Sequence, residues 1–313
     1  MLDRLEKYLV TELVTPVAPA VRAFAAHLVK DMSTAPLGVV FYGSMLRKAD
    51  PDGILDFYVV TETGRDVPGG MCARLANHFL PPNVFYAEYS YEGQAYRAKV
   101  AVLSRKQFAE RTGPRSADTT LWARFCQPVR LVWVRDAEAA DYILTLIARC
   151  VTTAAFWSGI FGADIGSKPA TAFWDALFAQ TYGSELRVEA SGRGKSLLQG
   201  AEGRFTTILP LAWQRAGLAF ARENDSYSVV LSEKQTRRAV KHWHAIKRFG
   251  KVRNVLRLIK AAFTFKDGAT YLAWKIQRHT GIDLALSSFE QKHPLLCLPR
   301  LVRRYRHARR DSK

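Results

Sequence analysis

Cysteine is scarce and scattered in this chain. Cys72, Cys126, Cys150 and Cys297 form no C-x-x-C pair and have no histidine at metal-binding spacing. That excludes the usual cysteine-based metal and dithiol motifs, and reduced thiols of a cytosolic compartment are expected. H-E-x-x-H and the P-loop are also missing. Gly192-Arg193-Gly194-Lys195 has the composition of a phosphate loop without its spacing. His242 and His244 flank Trp243 at i and i+2, so they would not share a helix face. The longest uncharged stretch, Cys150 to Ala163, is too short and too rich in Thr, Ser and Gly to span a bilayer. The first residues, MLDRLEKYLVTELV, mix acids with bases and lack both an apolar signal core and an Arg-rich transit pattern. Internal repeats and low-complexity tracts are absent. A protein that is soluble, or that rests on a membrane without crossing it, is expected.

Acidic residues are scarce in one region only. The net charge is +18, yet from Lys234 to Lys313 there are 21 basic residues against 4 acidic ones, so the rest of the chain carries only +1. A basic C-terminal module on a near-neutral body seeks a polyanion, either nucleic acid or an anionic membrane surface. Within Val252–Phe263 the apolar residues Val252, Val255, Leu256, Ile259, Ala262 and Phe263 follow helical spacing, with Arg253, Arg257 and Lys260 on other faces. Leu298, Leu301, Val302 and Tyr305 repeat the pattern among arginines. Extended aliphatic stripes favour a membrane over a nucleic-acid groove, although packing against the body would use them equally well.

At 313 residues the chain has room for two domains beside this module. Helical periodicity runs through residues 4–31 and breaks at Pro16 and Pro19. Strands are expected at 38–42 and 54–60, a helix near 69–79, a hairpin turning at Glu92-Gly93, and a further strand at 129–134. Residues 1–136 thus read as an α+β domain with a small mixed sheet, 137–233 as a mainly helical domain, and 234–313 as basic helices.

Residues 38–60, GVVFYGSMLRKADPDGILDFYVV, carry the chemistry. A β-branched and aromatic run stops at Gly43-Ser44, where a sharp turn would point backbone N–H groups and a hydroxyl outward as a phosphate cradle. A polar loop containing Asp50-Pro51-Asp52-Gly53 follows, then a second apolar run interrupted by Asp56. A carboxylate in a buried strand is costly unless a cation such as Mg2+ accompanies it. Two-metal nucleotidyl transfer usually places a second acid at i+2 on the same face, but here that residue is Tyr58. Asp52, Glu88 and Glu92 are the candidates for another acid. Lys99, in the apolar AKVAVLS strand, reads either as half of a buried Lys–Asp pair or as a cation for triphosphate charge. Arg124 and Arg187 are lone cations in semi-apolar surroundings and read as structural.

Strand, Gly-Ser, loop, strand with acid is the layout of nucleotidyltransferases of the DNA polymerase β superfamily. FYGSM, GILDFYVV, NVFYAEYSYEGQAYRAKVAVLS, LWARFCQPV, YGSELRVE, AEGRFTTILPLAW and KAAFTFKDGATYLAWKIQR, in that order, resemble the mitochondrial-type phosphatidate cytidylyltransferases, the mitochondrial translocator assembly and maintenance family. The resemblance spans about Phe41 to Arg278. It implies a polymerase β-like nucleotidyltransferase domain, a winged-helix-like second domain and basic, membrane-associating C-terminal helices. It also implies Mg2+-dependent transfer of CMP from CTP to phosphatidate, giving CDP-diacylglycerol and pyrophosphate for phospholipid synthesis. Gly43, Ser44 and Arg187 would then bind nucleotide, Asp56 would hold the metal, and Lys99 would act in catalysis. Met45 stands where that family usually has a second glycine, and Ala123 and Gln127 replace its Gly and Lys. With no transit pattern visible, the cytoplasmic face of a bacterial inner membrane is the expected location, or the matrix side of the mitochondrial inner membrane in a eukaryote. Nucleotidyl transfer to RNA or a small alcohol, and a non-catalytic membrane scaffold, are the alternatives.

Overall fold

Alternation of apolar residues along the strands decides how the sheet is covered. The computed structural model describes residues 1–47, 53–184, 197–264 and 285–292, together with 297, 299, 300, 303 and 304. Two helices, α1 (Arg4–Leu13) and α2 (Pro19–Lys30), lead into β1 (Gly38–Tyr42), the short α3 (Ser44–Arg47) and β2 (Ile54–Thr61). Then come α4 (Met71–Phe79), the hairpin β3 (Asn83–Tyr91) and β4 (Gln94–Ser104), α5 (Arg105–Glu110), α6 (Thr119–Phe125) and β5 (Arg130–Val134). The sheet order is β3-β4-β2-β1-β5. It is mixed: β2 and β4 run parallel, and the other neighbours are antiparallel. The chain is therefore α+β, and each strand expected from alternation forms within a residue or two of its expected bounds.

Because side chains alternate across a sheet, one face takes Val39, Phe41, Leu55, Phe57, Val59, Ala98, Val100 and Val102, buried with Phe24 and Ala25 of α2. The opposite face takes Val40, Tyr58, Val60, Ala101 and Leu103 into the main core. That core continues without a break into α7 (Ala137–Gly162), α8 (Ala170–Ser184) and α9 (Glu202–Ala216). Each fully buried Leu, Ile, Val or Phe in it contributes about 1.5–3 kcal/mol. The 26-residue α7 starts at Asp136, whose carboxylate accepts from the Ala139 amide at 2.7 Å. By length and composition α7 is apolar enough to cross a membrane, but most of it is buried within this core. Gly162 lets α8 approach closely, since a Cβ there would lie 2.2 Å from Phe173 Cδ1.

A second sheet, in the order β6-β8-β7, joins β6 (Lys168–Pro169), β7 (Phe220–Glu223) and β8 (Ser226–Val229) beside α8 and α9. Arg204 of α9 ties this half to the rest. Its Nη1 donates to the Cys126 carbonyl at 2.8 Å, and its other nitrogens grip both oxygens of Glu12 on α1. The long α10 (Glu233–Thr264) follows, then the short α11 (Ser288–Lys292).

Candidate functional site

The main-core face of the sheet is not covered along its whole length. Tyr42, Asp56, Lys99 and Tyr86 are register partners across β1, β2, β4 and β3 and form one row of half-buried side chains. The next row is Val40, Tyr58, Ala101 and Val84, of which the first three are buried. The pairing thus sets the carboxylate of Asp56 beside the ammonium-bearing Lys99 where the core opens.

Gly43 closes the end of this row. Its φ is +94°, a region that L side chains enter only with strain. A Cβ at this position would lie 2.5 Å from Asp56 Oδ2 and 3.3 Å from its Cβ and Cγ. Only glycine meets both demands, and Ser44 follows, exposed at the start of α3. The expected cluster of Gly43, Ser44, Asp56 and Lys99 is therefore assembled in space. Met45 and Leu46 pack against the α2-side core, so the bulky residue is drawn toward the apolar layer. Gly43→Ala is expected to cut turnover by about 100-fold through displacement of the Asp56 carboxylate and to lower stability by about 1–3 kcal/mol. Steady-state kinetics beside thermal melting measures the two effects separately.

The other acids weighed in the sequence fare differently. Glu88 is one row away, opposite Arg97. Its Oε1 accepts from the Tyr86 hydroxyl and lies 3.5 Å from Arg97 Nε. Burial and that hydrogen bond push the Tyr86 phenol well above its ordinary range, so the hydroxyl stays a donor. Glu92 sits in the β3–β4 turn with φ +50°, roughly 20 Å along the hairpin from the row at strand rise. Asp52 and Arg187 lie outside the described residues. Among the described residues no group of three or more His, Cys, Asp or Glu is placed to hold a metal.

Arg124, read from sequence as structural, belongs to this neighbourhood. Its Nη1 donates to the Tyr58 hydroxyl at 3.0 Å, and its guanidinium carbon lies 5.3 Å from the centroid of the Tyr42 ring. No local signal in LWARF marks it, because the contact joins residues 66 positions apart.

Three cations toward the end of the basic helix α10 face the body, and Ala239, Trp243 and Ile246 nearer its start join the main core. Lys260 donates to the carbonyls of Leu80 and Pro82, the latter at 2.6 Å, and to Asn83 Oδ1 at 3.1 Å. Arg257 donates to the Pro81 carbonyl at 2.7 Å and Thr120 Oγ1 at 3.0 Å, and pairs with Asp118. Arg253 reaches the Ala117 carbonyl. Burial and the neighbouring Arg257 push the Lys260 ammonium down to about 8. Phe249, Val252 and Leu256 are left exposed on the other side. The carbonyls beyond the end of α4 need donors, and the apolar residues of α10 have none to offer.

No protein-family model matches this chain, and no curated protein matches it. Among solved structures, a nucleotidyltransferase-like protein from Exiguobacterium sibiricum 255-15 is similar at 11% identity, with a TM-score of 0.25 over 91% of this chain and 88% of that one. A likeness of that size transfers neither a fold nor an activity, and the site stands on its own residues.

Proposed function

We propose that this chain is a nucleotidyltransferase that transfers CMP from CTP to phosphatidate, releasing pyrophosphate and forming CDP-diacylglycerol. The observation that carries the transferase reading is the glycine with φ +94° seated against Asp56 Oδ2, with Lys99 as the register partner of Asp56. The antiparallel β1–β2 pair with β4 parallel to β2 supports a polymerase β-like domain over residues 1–136. The order α7-β6-α8-α9-β7-β8, with the sheet β6-β8-β7, supports a winged-helix-like domain over 137–233. The choice of CTP and phosphatidate rests on the sequence resemblance.

A half-buried hard carboxylate beside the exposed Ser44 turn fits Mg2+, which takes oxygen ligands and commonly shares them between one or two acids and nucleotide phosphates. Asp56 would hold the ion, and the ion when bound supplies Lewis-acid neutralisation of the triphosphate. Lys99 offsets negative charge on the leaving pyrophosphate. The phosphate of phosphatidate is already anionic at neutral pH, so the acceptor needs no general base. The chain's task is then positioning and charge neutralisation.

The exposed side of α10 supports residence on an anionic membrane. It presents Lys241, Lys247 and Arg248 beside Phe249, Val252 and Leu256, the pairing of cations and apolar side chains that suits a bilayer interface. In this reading residues 234–313 associate with a membrane, and by the sequence resemblance that is the cytoplasmic face of a bacterial inner membrane. Purified protein incubated with labelled CTP, Mg2+ and phosphatidate vesicles is expected to form lipid-linked CMP. Absence of that product overturns the reading, and label transferred to RNA in a parallel arm would replace it with RNA nucleotidyl transfer.

A further inference from the structure

We infer that α4 is a second membrane-contacting helix, whose Met71, Leu75 and Phe79 enter an anionic bilayer beside Phe249, Val252 and Leu256 of α10. This rests on the membrane residence proposed above and adds a surface to it. The helix is inside-out. Met71, Leu75 and Phe79 recur every four residues and are exposed, at 84%, 58% and 70%. Its buried side chain is the polar Asn77, which donates to Gln107 Oε1 at 3.2 Å and accepts from the Asn83 amide at 2.9 Å. The Asn83 side chain in turn donates to the Ala73 carbonyl at 2.8 Å and accepts from Lys260 at 3.1 Å. A chain of hydrogen bonds therefore holds α4 and the end of α10 by their polar sides. Phe79 directly precedes Leu80, whose carbonyl accepts from Lys260, and Leu256 lies about one turn before Lys260. The two outward apolar stripes border one corner.

Single exposed apolar residues are ordinary, but a stripe of three large ones on a helix of 9 residues marks an interaction surface. Charge selects the occupant. α4 contains no acid, and Arg65, Arg74 and His78 are exposed on it or just before it. Across the corner, α10 has Glu233 as its only acid among many lysines and arginines. A second copy of this chain would set like charges against each other. An anionic bilayer accepts both the cations and the apolar stripes. Position gives the contact a use. Asn83, at the corner, lies three residues before Tyr86 of the Asp56 row, about 10 Å at strand rise. A bilayer seated on α4 would hold its lipid phosphates near that row, with the stripe anchored beneath the headgroups.

Cys72 supplies a native reporter, because it is exposed on α4 while Cys126, Cys150 and Cys297 are buried. The full chain, labelled at Cys72 with an environment-sensitive thiol dye, is mixed with vesicles of equal phosphatidylglycerol and phosphatidylcholine, or of phosphatidylcholine alone. A blue shift with the anionic vesicles only is expected. The double variant Leu75→Gln, Phe79→Gln is expected to bind those vesicles about 100-fold more weakly in sedimentation, at about tenfold per side chain. It should keep the wild-type melting temperature and its rate on detergent-dispersed phosphatidate, while its KM for phosphatidate in vesicles rises. If it sediments like wild type and Phe249→Gln, Leu256→Gln does not, the role of α4 is overturned and the membrane reading stands. An unshifted dye on wild type that sediments with vesicles does the same. Wild type that binds neither vesicle overturns the membrane reading as well. Without vesicles, a blue shift that grows with protein concentration, beside a doubled mass in light scattering, assigns the stripe to a second copy. A shift already complete at every concentration assigns it to another segment of this chain. Either result overturns the bilayer as its occupant.

Discussion

Asp56→Asn is expected to reduce CMP transfer by about a thousand-fold while the protein still folds. The substitution keeps the shape of the side chain beside Gly43 and removes its charge. It leaves the sheet register that pairs residue 56 with Lys99 and Tyr42 in place. What it deletes is the one carboxylate of the row, and with it the anionic ligand that a Mg2+ ion carrying the triphosphate would require. Loss of charge stabilisation directed at a transferring phosphoryl group costs several kcal/mol of barrier, which gives that factor. Product formation from labelled CTP, compared at equal concentration with wild type, measures it. The melting temperature of the variant, close to wild type, separates a chemical loss from a folding one. Equal turnover in the two proteins would remove Asp56 from the mechanism.

Asp118→Ala is expected to give the largest loss of stability, about 3–5 kcal/mol, because it leaves buried cations without their counter-charge. Asp118 is buried at the start of α6, where it caps the helix and pairs with Arg257. Arg111 Nε lies 3.7 Å away. Burial by itself would raise this carboxyl, but the Arg257 guanidinium, the hydrogen bond from it and the Arg253 charge outweigh burial and hold it at about 2. The folded value lies below the ordinary carboxylate range, so the associated stability is complete above about pH 4 and is lost as the pH falls through about 2. A melt of wild type across that range should therefore fall more steeply than a melt of the alanine variant. At neutral pH the variant should melt roughly 10 °C lower. Because Asp118 anchors Arg257 of α10, proteolysis should also reach α10 sooner in the variant. Unchanged melting and proteolysis would mean that α10 is held by other contacts.

The site was legible in part, and its residues show why. Gly43, Ser44 and Asp56 lie within 14 residues of one another, and their signals are local: an apolar run, a glycine stop and an acid in a strand. The strands themselves follow from alternation, since a one-residue slip would turn the wrong face inward. That Lys99 lies opposite Asp56 depends on a parallel pairing across 43 residues, with α4 and β3 between them. Arg124 had no local sign of its contact, and Tyr58 stood where a second acid is usual without a sign of the bond it makes. Met45 read as an obstruction, and packing turned it toward the α2-side core. The apolar spacing of α10 favoured a membrane but left packing against the body open, whereas the carbonyls of Leu80, Pro81, Pro82 and Ala117 and the buried Asp118 take Arg253, Arg257 and Lys260.

The amino-acid order by itself determined an α+β chain, a sharp glycine turn at Gly43-Ser44, a strand acid at Asp56 and a concentration of positive charge after residue 233. Those are consequences of backbone sterics, side-chain alternation and composition, which act over a few residues. Tertiary structure alone decided which cation faces Asp56, that Tyr58 holds Arg124, and which side of α10 meets the protein. These outcomes depend on strand register and on the demand of buried carbonyls and carboxylates for donors, and the partners are contributed by segments far apart in the chain.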